Sequence, residues 1–137
     1  MSNIGLFNTI DETVGRLTLC LPVLSRPATL DEIAIIDLAA TYMKAFGLGS
    51  NNLHGNNPYA AAEFDARRKR ICRGLYQMVV IGLATTKDNG ATYEVTDSCF
   101  AYANRLHSNY VDEYRQSLFA LTHMDVNLIR QRIQKGR

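Results

Sequence analysis

The 137-residue sequence lacks the short motifs that announce common catalytic machinery. It has no G-x-x-x-x-G-K to cradle phosphates, no G-x-S-x-G nucleophile turn, no H-E-x-x-H and no C-x-x-C. Cysteine is scarce and odd in number. Cys20, Cys72 and Cys99 lie far apart among apolar neighbours, which suits reduced core thiols of a cytoplasmic protein better than a disulfide framework. Long apolar runs are missing too, because Asp37, Lys44 and Arg73 interrupt them, and Met1-Ser2-Asn3 does not begin a basic-then-apolar leader. Neither a membrane partner nor export is expected. Internal repeats and low-complexity stretches are absent.

What is present fits a globular protein. With 47% hydrophobic and 20% charged residues, a chain this long is expected to form one domain over 1–137 with a core of its own. A net charge of +2 does not by itself argue for nucleic acid, so the distribution matters. Arg67, Arg68, Lys69, Arg70 and Arg73 form one basic run, and Arg130, Arg132, Lys135 and Arg137 close the chain. The acids Asp11, Glu12, Asp31, Glu32 and Asp37 load the first quarter.

Apolar spacing through Ile10, Val14, Leu17 and Leu21 predicts a first helix from about Thr9 to Leu24, kinked at Pro22. Thr29-Leu30-Asp31-Glu32 reads as a capping box opening a second, broadly apolar helix through Phe46, ended by Gly47 and Gly49. A polar loop over 48–58 leads to a third helix that starts near Tyr59 to Ala62 and closes on Gly82, with Phe64, Ile71, Leu75, Met78 and Val79 inward. Asp88-Asn89-Gly90 then predicts a hairpin turn between strands at 83–87 and 91–96. Asp97-Ser98 is expected to cap a short helix, and Ser108 a longer one with a weak point at His123-Met124-Asp125. The fold class is therefore mainly α with a small β-hairpin: a winged-helix-like core over about 8–100 and a helical C-terminal extension over about 101–137.

Two regions carry the candidate functional residues. Apolar Leu53, Pro58 and Tyr59 in a long loop, with His54 among them, suggest a protein-binding site, and His54 reads as structural or interfacial rather than catalytic. On the third helix Arg67, Lys69, Arg70 and Arg73 fall outward, either as a solvated face or as contacts to phosphates or an acidic partner. Arg68 falls between Phe64 and Ile71 on the apolar stripe, and Asp37 is the one acid inside the apolar stretch of the second helix, so the two are expected to form a buried ion pair. Cys72 reads as a buried thiol on the inner side. Nothing calls for a cofactor, a metal or a small-molecule substrate.

The chain resembles the middle-component family of bacterial ABC-three-component systems, including those of Lamassu-type antiviral and anti-plasmid defence. The matching residues are Asp37, Asn52-Leu53-His54-Gly55, Asn57-Pro58-Tyr59, Glu63-Phe64, Arg67-Arg68, Gly82-Leu83, Gly90, Tyr93, Phe100, Leu106, Ser108, Tyr110 and Tyr114-Arg115. The resemblance implies a non-enzymatic scaffold linking an SMC-like ABC ATPase to an effector, often a nuclease, until foreign DNA is sensed. It also implies DNA within the assembled complex. The residues alone leave open a stand-alone winged-helix transcriptional regulator, which would use the basic helix to read an operator.

Overall fold

The computed structural model describes residues 9–136; Arg137, at the basic chain end, lies outside them. Helix α1 spans Ile10–Leu24, with Thr9 accepting at its hydroxyl from the Glu12 N–H. Val14, Leu17 and Leu21 are buried as the spacing requires, while Ile10 is exposed in the first turn. Pro22 sits in the last turn, and Ser25, at φ 57°, closes the helix by donating its N–H to the Pro22 carbonyl.

A two-residue strand, β1 (Ala28–Thr29), precedes helix α2 (Leu30–Thr41). Two residues are too few to leave an alternating pattern, so this strand has no signature in the sequence. The capping box is in place. The Thr29 hydroxyl accepts from the Glu32 N–H at 3.2 Å, and the Glu32 carboxylate accepts from the Thr29 N–H at 3.0 Å, an arrangement worth about 1 kcal/mol. The helix ends at Thr41, short of the expected Phe46. The loop that follows takes over its amides: Lys44 N–H donates to the Asn51 carbonyl and Ala45 N–H to Asn52 Oδ1.

A 3₁₀ turn (Ala60–Glu63) leads into helix α3 (Phe64–Val80), closed at Gly82 with φ 83°. Strands β2 (Ala84–Lys87) and β3 (Thr92–Val95) form the expected hairpin, and Asp88, Asn89 and Gly90 all take positive φ in its turn. The antiparallel sheet has the order β1-β3-β2, with Ala28 opposite Tyr93 and Thr86 on the other side of Tyr93. Helix α4 (Asp97–Ala103) is preceded by Thr96 at the cap position, with no side-chain cap bond, rather than by Asp97-Ser98. Ser108 caps α5 (Asn109–Thr122), and Asp125 caps α6 (Val126–Lys135) at the expected weak point.

Two apolar clusters meet at α2. One gathers Val14, Leu17, Ile33, Ile71, Leu75 and Met78 from α1, α2 and α3, with Leu83 and Cys99 beyond them. The other gathers Leu38, Phe46, Tyr114, Leu118, Ile129 and Ile133, where α5 and α6 cover the opposite side. Residues 33–41 are consequently buried all round, which explains why α2 carries almost no polar side. Val79, expected inward, is instead exposed, because Leu75 and Met78 already fill that end of the core.

Gly74 decides how α1 meets α3. A Cβ there would lie 2.8 Å from Thr13 Cγ2 and 2.9 Å from Leu17 Cδ1, so only glycine permits the two helices this approach. The residue weakens α3 locally and tightens its packing.

Candidate functional site

Helix α2 carries Asp37, the one acid past its first turn, inward, and three other helices supply donors to it. Asp37 is wholly buried; Arg16 from α1 donates to it through Nε at 2.9 Å and through Nη2 at 3.3 Å. Arg67 from α3 donates through Nη1 at 2.9 Å, and the Tyr114 hydroxyl from α5 donates at 2.6 Å. Burial works against a charge at Asp37, but the two guanidiniums outweigh it and hold the carboxyl well below the usual carboxylate range. Burial also pushes the Tyr114 phenol far up, keeping it a donor.

Arg67 extends the network toward the long loop. Its Nη1 also donates to Thr41 Oγ1 at 2.9 Å and its Nη2 to Glu63 at 3.0 Å. His54 Nδ1 lies 3.4 Å from the same Nη2, and His54 Nε2 lies 2.7 Å from the Tyr110 hydroxyl. A guanidinium only donates, so Nδ1 accepts and Nε2 carries the proton toward Tyr110. Burial, reinforced by Arg67 and Arg16, pushes the imidazole down to about 2 and keeps it neutral. The ring also stacks on Tyr110 and meets Tyr42 edge-on. Both ring nitrogens thus hold protein atoms, and the loop is pinned to α3 and α5 through them.

The expected Asp37–Arg68 pair does not form. Arg68 is exposed and pairs with Asp31 at the surface, while Arg67, 1% exposed, takes the place beside Asp37. Both residues flank the line through Ile71, but Arg67, four residues before it, lies about 40° round the helix, and Arg68, three before, about 60° off on the other side. Close packing at Gly74 draws α1 against the Arg67 side. The basic face changes with that rotation. Arg67 is no outward cation, and Arg70 is part-buried with Nη2 on Glu63 at 2.9 Å. Lys69 and Arg73 remain exposed, as does Cys72, expected inside; Cys20 and Cys99 are buried.

The loop divides similarly. Leu53 is half-buried against the core cluster of α1, α2 and α5, and His54 is engaged as described. Pro58 is exposed, and Tyr59 is 75% exposed, its N–H held by Asn57 Oδ1 at 2.9 Å. Asn57 in turn donates to Glu63, which fixes the loop tip over the start of α3. Of the four loop residues, Pro58 and Tyr59 are the ones free to meet another molecule.

Arg16 was not singled out in the sequence, although it is the one cation in the apolar stretch from Val14 to Leu24. The same signal drew attention to Asp37. Glu63 and Tyr114 are among the residues that carry the family resemblance, but their places beside Arg67 and Asp37 are visible only in the fold. Among the described residues no group of His, Cys, Asp and Glu could hold a metal, and no helix is long and apolar enough to cross a membrane.

No curated protein and no solved structure matches the chain. A family model, described as ABC-three component (ABC-3C) system Middle Component 2, matches residues 6–134. With that much of its length matched, the chain belongs to the family of middle components of ABC-three-component systems.

Proposed function

We propose that this chain is the non-enzymatic adaptor of a bacterial defence complex, joining an SMC-like ABC ATPase to an effector, a nuclease, in a Lamassu-type response to phage or plasmid DNA. The match to the middle-component family over residues 6–134 carries this reading. The geometry agrees with it: the polar network around Asp37 ties four helices into one support, and the tip residues Pro58 and Tyr59 stand out from it. A large aromatic side chain left in water beside a rigid support is suited to anchoring a partner. In this reading the chain is one cytoplasmic domain, with the part up to about residue 100 as a winged-helix-like core and the helical part from about 101 as its extension. The stand-alone regulator loses support, since two of its four phosphate contacts are already engaged, Arg67 with buried Asp37 and Arg70 with part-buried Glu63.

The chain purified alone is expected to hydrolyse no ATP and cut no DNA. Either activity, retained through stringent purification and lost with a variant of this chain, contradicts the adaptor reading.

A further inference from the structure

Helix α3 turns a second line of residues to solvent, opposite Ile71, Leu75 and Met78. Lys69, Arg73, Tyr76 and Val80 recur at i, i+4, i+7 and i+11, which places them along one side of the helix. All four are exposed, Tyr76 by 71% and Val80 by 62%, and Ile81 continues the apolar end just past the helix. The line is cationic in its first half and apolar in its second. Neither Lys69 nor Arg73 has an ion-pair partner among the described residues.

A face built for phosphates would stay cationic along its length, because affinity there comes from the number of charges neutralised. Here Arg67 is buried and Arg70 is part-buried against Glu63, and the second half offers an aromatic ring and aliphatic side chains to water. Contiguous apolar surface of this kind, bordered by charge, marks a protein contact. We infer that the outward line of α3 from Lys69 to Ile81 docks an amphipathic helix of another subunit, one with carboxylates facing Lys69 and Arg73 and apolar side chains facing Tyr76 and Val80. This inference rests on the adaptor reading and assigns it a face. Helix-on-helix docking with anchors at these spacings is an established mode of recognition.

Cys72 makes the face testable without engineering. It is exposed beside Arg73 on this side of α3, whereas Cys20 and Cys99 are buried, so a maleimide should modify Cys72 alone in the folded protein. Its rate of modification is to be compared in the free chain, in the complex with the ATPase and effector subunits of the same system, and with a short duplex DNA alone. Assembly is expected to slow modification roughly tenfold or more, as for residues sealed from water at an interface centre, and DNA alone to leave it unchanged. The double variant Tyr76→Glu with Val80→Glu, checked by thermal melting for an intact fold, is expected to weaken assembly by about tenfold or more. If the complex forms while Cys72 reacts as in the free chain, or the folded double variant assembles normally, the face is wrongly assigned and the adaptor reading stands. Protection by DNA alone would make α3 a nucleic-acid reader and overturn the inference. Failure of any complex to form would remove the adaptor reading, and this inference with it.

Discussion

Arg67 Nη1 lies 2.9 Å from Asp37 Oδ2, with both side chains sealed from solvent. That contact joins α3 to α2 at the point where α1 and α5 also reach the same carboxylate through Arg16 and Tyr114. A buried carboxylate with three donors from three helices fixes their relative positions, because moving any one leaves a charge or a dipole unsatisfied in the core. Glu63 balances the second guanidinium and, through Asn57, carries the constraint to the loop tip. The same set of contacts therefore shapes the core and holds Pro58 and Tyr59 in place.

Removing one partner from this network is expected to be costly. Arg67→Ala should lower stability by about 3 kcal/mol or more, whereas Arg68→Ala, whose partner is at the surface, should cost far less. Arg67→Lys should not restore the loss, since Nη1 and Nη2 serve different acceptors in a fixed fork. Denaturant melts of the three variants decide it; equal losses for the two alanine variants would contradict the placement of Arg67.

His54 makes the fold sensitive to mild acid. Its folded value is about 2 against an ordinary 6.5, so above pH 6.5 both folded and unfolded imidazoles are neutral. Below 6.5 the unfolded chain takes up a proton that the folded one refuses, and stability falls as pH drops toward 2. Asp37 acts lower down, since its contribution is complete above the ordinary 3.8 and is lost only as pH falls through its depressed folded value. Between pH 6.5 and 5, wild-type melts should therefore show a loss with falling pH that His54→Gln largely removes. An unchanged slope in that variant would mean that His54 takes up its proton normally in the folded protein.

Gly74→Ala sets two effects against each other. Alanine favours a helix over glycine by about 1 kcal/mol, but its Cβ would press on Thr13 Cγ2 and Leu17 Cδ1. Thr13 is buried and short, with little freedom to yield, so the clash should win by about 1–2 kcal/mol. A rise in melting temperature would show that α1 can withdraw at no cost.

Tyr59→Ser should leave the melting temperature almost unchanged, because the ring is 75% exposed. Binding to the ATPase or effector should nevertheless weaken by about tenfold or more, as for an aromatic anchor. Titration calorimetry with each subunit separately would show which of them meets the loop tip; unchanged affinity for both would remove Tyr59 from the interface.

Local chemistry made much of the fold readable. Thr29 with Glu32, Ser108, and the turn at Asp88-Asn89-Gly90 each act over a few residues, and each stands where the sequence placed it. The helical phase of α3 was less readable, because Arg67 and Arg68 both border the apolar line and only the packing of α1 against Gly74 distinguishes them. Asp37 was recognisable as an acid in need of a cation, yet its partners lie 21 and 30 residues away in sequence. Cys72 followed the same phase error outward. In the loop, composition marked Leu53, His54, Pro58 and Tyr59 alike, but only contacts with α5 and the core show that the first two turn in.

The central claim is that this chain joins two other subunits. Co-expression of the ATPase and effector of the same system, with and without this chain, followed by size-exclusion chromatography with light scattering, tests it most directly. The two subunits are expected to elute together only when this chain is present, in a particle whose mass includes it. Co-elution of ATPase and effector at the same mass whether or not this chain is expressed would contradict the account.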